Sequence, residues 1–163
     1  MRHAKSSWDN PGLTDSERPL NKRGKKNAPF MGKLLKKMNE IPELIISSPA
    51  VRAYKTAKKA AKKIDYPSDK IVKDEKLYMA GTNDFLSVIG NTKPVIDKLM
   101  LVSHHPGIAQ FANFIAGTNI ENIPTAGIVR IDFDTNSWDE IPRMKGRLIF
   151  FEYPKKYKDR VGI

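Results

Sequence analysis

Leu99-Met100-Leu101-Val102-Ser103-His104-His105-Pro106-Gly107 sets a wholly apolar run directly against a polar, proline-containing junction. Four apolar residues without alternation read as a strand buried on both faces, the pattern of a parallel sheet covered by helices. Beyond the junction Ile108, Phe111, Ala112 and Ile115 recur at helical spacing, and Gly117 is a natural stop. The spacing predicts a helix over 106–116. A strand running straight into a helix is the unit of an α/β layered domain. It puts His104 where the strand ends and the helix begins.

The same junction occurs earlier in the chain. Glu43-Leu44-Ile45-Ile46-Ser47 reads as a short buried strand, and Ser48-Pro49 as an N-cap followed by a first helical residue, with a helix over 49–64. Ligands of parallel α/β sheets bind beyond the carboxyl ends of the strands. Helix N-termini there present unpaired N–H groups and a positive dipole end to an anion. Arg52 and His104 are therefore expected on one rim, where both suit an oxyanion such as a phosphoryl group.

The remaining segments fit one domain spanning residues 1–163, with no repeat and no linker. A helix is expected over 21–38, kinked by Pro29 or regular only beyond it. Ile71-Val72-Lys73 reads as a short strand, and Thr82 as the cap of a helix over 84–89. Residues 127–133 and 147–153 read as two final strands joined through 134–137.

Composition narrows the function classes. Hydrophobic residues make up 40% and charged residues 29%, as in a soluble globular protein. No apolar run approaches the ~20 residues of a bilayer span, and no signal-peptide core opens the chain, so a cytoplasmic protein without membrane association is expected. The absence of cysteine removes disulfides, thiolate catalysis and zinc–thiolate sites. The net charge is +11. Lys55, Lys58, Lys59, Lys62 and Lys63 share one arc of their helix, opposite Ala53, Ala57, Ala60, Ala61 and Ile64, so most of this charge reads as a solvated face. It also suits an acidic partner. Nucleic acid is not expected, because no aromatic-interleaved basic motif accompanies the lysines.

The histidines stand at positions 3, 104 and 105. A zinc site built from all three would suit imidazole, but adjacent histidines rarely aim at one ion and no carboxylate–histidine spacing supports one. No metal is expected. Arg2-His3 looks like chemistry, yet only Met1 stands before it.

Taken together, Arg2-His3-Ala4, Ser47-Ser48-Pro49-Ala50-Val51-Arg52-Ala53 and Val102-Ser103-His104-His105-Pro106-Gly107 resemble, in order, the three motifs of the histidine phosphatase superfamily, with its phosphoglycerate mutase-like fold. Arg18-Pro19-Leu20-Asn21-Lys22-Arg23-Gly24 resembles that family's entry to the first helix. The alanine after His3, the continuation Lys5-Ser6-Ser7-Trp8 and the short chain are most similar to the SixA-like phosphohistidine phosphatases. The resemblance implies a three-layer α/β fold with a mostly parallel central sheet between helices. It also implies a cofactor-free phosphatase in which His3 attacks phosphorus and becomes a phosphohistidine. Arg2, Arg52 and His104 would hold the phosphoryl oxygens, with Ser6 a weaker candidate contact.

The chain departs from that pattern in several places. Ser103 stands where glycine is common, and His105, an added titratable group, where asparagine is common. Glu75, with Asp74 beside it, is the candidate general acid, while Met79 occupies a position that is often acidic. Imidazole leaves more easily than alkoxide, so a weak acid signal favours phosphohistidine over an alcohol phosphate. The expected substrate is a phosphorylated protein, such as a histidine phosphotransfer domain, and the expected state a monomer. The alternatives are a broad small-molecule phosphomonoesterase or a catalytically impaired phosphate-binding module. The family also places a buried strand before Arg-His. Its absence here would open a core-sized void and orphan backbone groups, so a start upstream of Met1 is expected.

Overall fold

The computed structural model describes residues 1–158. Strands β1 (Leu44–Ser47), β2 (Val72–Lys73) and β3 (Leu99–Val102) form a parallel sheet in the order β2-β1-β3. In the β1–β3 register, Ile46 pairs with Leu101 and Ser47 with Val102. The two strands thus end level, and Ser48 donates its backbone N–H to Val102 O at 2.9 Å. This register brings the two strand-to-helix junctions side by side, as the sequence predicts.

Helices α1 (Lys22–Lys37) and α2 (Val51–Ala61) cover one face of the sheet, while α3 (Thr82–Gly90) and α4 (Gly107–Ala116) cover the other. The small side chains Ala53, Ala57, Ala60 and Ala61 are fully buried. Each methyl-sized group so buried contributes about 0.8 kcal/mol. Lys55, Lys58 and Lys62 face solvent, as the arc of charge implies. On the opposite face Phe85 stacks on Phe111, with ring centroids 4.7 Å apart.

Several local expectations change. Helix α1 runs through Pro29 as one uninterrupted helix, capped by Asn21, which accepts from the Gly24 N–H at 2.9 Å. Ser48 is not the cap of α2. That position belongs to Ala50, whose N–H donates to Ser48 Oγ at 3.3 Å, and the same hydroxyl lies 2.7 Å from His104 Nε2. Thr82 is the first residue of α3, and its cap is Gly81, whose N–H donates to the Asp84 carboxylate at 2.8 Å. Strands β4 (Ile128–Asp132) and β5 (Arg147–Glu152) form a separate antiparallel pair, with a 3-10 turn, Trp138–Arg143, in the connection between them.

The Arg-His pair is held by backbone on two sides. Arg2 forms a parallel bridge with Ser103, just past the end of β3. Ser103 N donates to Met1 O at 3.1 Å, and His3 N to Ser103 O at 3.0 Å. On the other side Arg2 N donates to Gly127 O at 2.9 Å, and Ala126 N to His3 O at 3.1 Å. The Met1 amino group donates to Leu101 O at 2.8 Å. Beyond Met1, toward the start of β3, the two sheets part around a cavity of about 430 Å³ lined by Leu101, Phe111, Ile128, Val129 and Phe150 among others. Among the described residues the two sheets do not pair across it.

Candidate active site

The sheet register and the docking of residues 1–3 bring His3 and His104 to 5.0 Å between ring centroids. His3 Nδ1 lies 2.8 Å from Ala4 O. A carbonyl oxygen only accepts, so Nδ1 carries the proton and Nε2 keeps its lone pair. The imidazole is thereby set in the tautomer a nucleophile requires. Ala4 is fixed in turn, donating its N–H to Thr56 Oγ1 at 2.9 Å, while the Thr56 hydroxyl donates to Arg52 O at 2.6 Å. One buried threonine links the first motif to the second.

Both histidines are held neutral. Burial lowers the His3 pKa to about 4, assisted by the charges of Arg52, Arg2 and Arg18 and opposed by the Ala4 carbonyl. Burial, then His3 and Arg52, lowers that of His104 to about 3. His104 Nε2 lies 2.7 Å from Ser48 Oγ, and its Nδ1 is buried without a protein partner. His105 stands beside Arg2. Its pKa is lowered by burial and then by the Arg2 charge.

Histidine C–H resonances of the ligand-free protein should therefore titrate near pH 4 for His3, well below the ordinary 6.5. The unfolded chain binds more protons than the folded one between these values. Stability present above pH 6.5 is accordingly lost as pH falls toward 4. A His3 midpoint near 6.5 would contradict this reading of the site.

The cations are anchored differently. Arg2 Nη1 donates to Asn122 Oδ1 at 2.9 Å and to Ile123 O at 2.7 Å, while its Nε is buried without a protein partner. Arg52, almost wholly buried, donates through Nη2 to Asp15 Oδ2 at 2.7 Å and through Nη1 to Asp15 O. Arg18 reaches Asp15 Oδ1 at 2.9 Å and Ser6 Oγ at 2.6 Å. Tyr78 donates to Asp15 Oδ2 at 3.0 Å and sets its ring edge-on to His104 at 5.5 Å. Burial opposes ionisation of Asp15, but the hydrogen bonds from Arg52, Tyr78 and Arg18 together hold its carboxyl below the usual range.

His3, Arg2, Arg52 and His104 thus converge, and Ser6 joins them through Arg18. Glu75 does not. It is exposed on the 3-10 turn Glu75–Leu77. Ser103 turns out to pin this turn, its buried hydroxyl donating to Leu77 O at 2.7 Å. Gly107 lets the segment pack closely from the other side, because a Cβ there would strike Ala80 O. Sequence reasoning missed Asp15, Tyr78, Ser48 and Thr56. Asp15 lies in a turn with no periodic signal, and a hydroxyl's partner across the fold leaves no trace in spacing.

Comparison with known proteins bears on the fold that carries this site. The model of the histidine phosphatase superfamily (branch 1) matches residues 1–78. An uncharacterized chloroplastic protein of Arabidopsis thaliana is 28% identical over 154 residues, covering 90% of this chain and 70% of the relative. An uncharacterized protein of Mycobacterium tuberculosis is 28% identical over 165 residues, covering 95% and 100%. A structure assigned as the phosphohistidine phosphatase SixA of Agrobacterium tumefaciens superposes with a TM-score of 0.80 at 28% identity, covering 94% of this chain and 95% of that one. The chain carries the pattern of the histidine phosphatase superfamily over residues 1–78. It is a phosphatase with a SixA-like fold, and the likeness reaches well past the matched residues into the second half of the chain. A second such structure, the protein histidine phosphatase SixA complexed with tungstate, shares the fold with a TM-score of 0.82 at 20% identity, covering 97% of each chain.

Proposed function

We propose that this phosphatase hydrolyses phosphohistidine through a covalent phosphohistidine formed on His3. The carrying observation is the His3 ring, whose Nδ1 is held by Ala4 O so that Nε2 is free to attack, beside Arg2, Arg52 and His104. In the first step Nε2 bonds to phosphorus as the bond to the substrate imidazole breaks. The substrate imidazole, protonated from solvent on its other ring nitrogen, leaves as neutral imidazole. Water then attacks phosphorus, releasing phosphate and restoring His3.

Arg52 and the buried Arg2 Nε offer N–H groups to the equatorial oxygens as charge redistributes. His104 contributes through Nδ1. If the Ser48 hydroxyl donates to Nε2, the proton sits on Nδ1 and can be given to an oxyanion. An imidazole between a hydroxyl and an anion settles into that tautomer.

Substrate class follows from which acids are available. Asp15 is held ionised by its cations and so does not protonate an alkoxide, and Glu75 is exposed on its turn. An imidazole leaving group makes the smaller demand. A general acid commonly contributes about 10²–10⁴-fold. Free phosphohistidine should therefore exceed phosphoserine in kcat/KM by a factor in that range. Equal efficiency on the alkyl ester would sink the phosphohistidine assignment. The reading also favours a phosphorylated protein as the natural substrate.

A further inference from the structure

Trp8 and Met79 are among the most exposed large apolar side chains of the described residues, at 71% and 75%. Single exposed apolar residues are ordinary on a protein surface. These two are set apart by what fixes them. The Arg18 guanidinium lies 3.1 Å from the Trp8 ring centroid, and Arg18 is itself tied to Asp15, Ser6 Oγ and Ser7 O. Met79 has a φ of 55°, in the left-handed region that non-glycine residues avoid. It follows Tyr78, which is tied to Asp15 and packed against His104. Ala80, on its other side, is buried against Gly107. The Trp8 ring and the backbone that presents Met79, from distant segments, are thus braced on the one carboxylate that also holds Arg52.

We infer that Trp8 and Met79 form an apolar rim that docks the body of a protein phosphorylated on histidine, with an acidic overall charge to match the +11 of this chain. This rests on the phosphohistidine reading. The phosphoryl group is held by Arg2, Arg52 and His104 whatever carries it. The rim adds affinity only for a substrate large enough to extend past the pocket mouth. A ring already stacked on Arg18 suits the task, since little conformational freedom is lost when a partner covers it, and the flexible Met79 thioether adapts to the surface it meets. The rim therefore separates a phosphoprotein from a free phosphoamino acid.

The test compares kcat/KM on an acidic phosphotransfer domain phosphorylated on histidine with kcat/KM on free phosphohistidine. Trp8→Ser and Met79→Ser should each lower the value for the phosphodomain by about tenfold, as loss of an interface anchor does. Both should leave free phosphohistidine and competition by inorganic phosphate unchanged. Equal losses on both substrates would show that these side chains support the site rather than the partner, and would overturn the inference. So would no loss on either. Wild-type turnover of free phosphohistidine without turnover of the phosphodomain would overturn the rim but spare the chemistry. Turnover of neither would overturn both.

Discussion

His3→Ala is expected to lower kcat by about 10⁴-fold or more, the scale on which removal of a nucleophile acts. It should also abolish labelling of the protein by phosphate from radiolabelled phosphohistidine. Both losses follow from Nε2 being the atom that bonds to phosphorus, since alanine offers nothing in its place. The fold should survive. Among the described residues the His3 side chain makes one hydrogen bond, to the neighbouring Ala4 O, while the segment is held by backbone bonds to Ser103 and Ala126 that alanine keeps. Circular dichroism and inorganic phosphate binding would separate lost chemistry from lost structure. A folded variant with wild-type turnover would remove His3 from the role.

Arg52→Lys is the second large expectation, a fall in kcat of about 10²–10³-fold, comparable to losing one preorganised donor at a developing charge. Lysine keeps the charge but replaces a planar fork with a point, and so cannot hold Asp15 and a phosphoryl oxygen with separate N–H groups. Asp15 would also lose two of its donors. The rate of phosphoenzyme formation in a single turnover is the measurement to make, because it isolates the step in which charge moves. A variant within a few-fold of wild type would mean that Arg52 serves Asp15 and not the substrate.

Much of this site was legible in the residues because it lies where strands end. The apolar runs Leu99–Val102 and Leu44-Ile45-Ile46 announce buried parallel strands, each leading into a helix, which sets Arg52 and His104 just past strand ends. The level register itself could not be read, since it depends on how two strands slide against one another. The position of His3 was harder. It depends on backbone bonds to Ser103 and Ala126, and backbone pairing of a three-residue stretch has no periodicity to betray it. Asp15 was invisible for another reason: its role is defined by Arg18, Arg52 and Tyr78, which come from three separate stretches of chain. Ser48 misled because a serine before Pro49 satisfies every rule for a helix cap, yet a buried histidine nitrogen competes for the same hydroxyl.

The Thr56 hydroxyl has a consequence for precision. A nucleophile and a charge-stabilising arginine must meet at one phosphorus atom, and tolerances would accumulate if each were located independently along the intervening chain. Here the backbone of Ala4 and the backbone of Arg52 are both referred to a single oxygen on α2. The spacing of the two is therefore set by a pair of hydrogen bonds to one atom, beside the backbone bonds that fix residues 1–3. The two halves share one origin of coordinates, so fewer independent placements separate the nucleophile from its arginine.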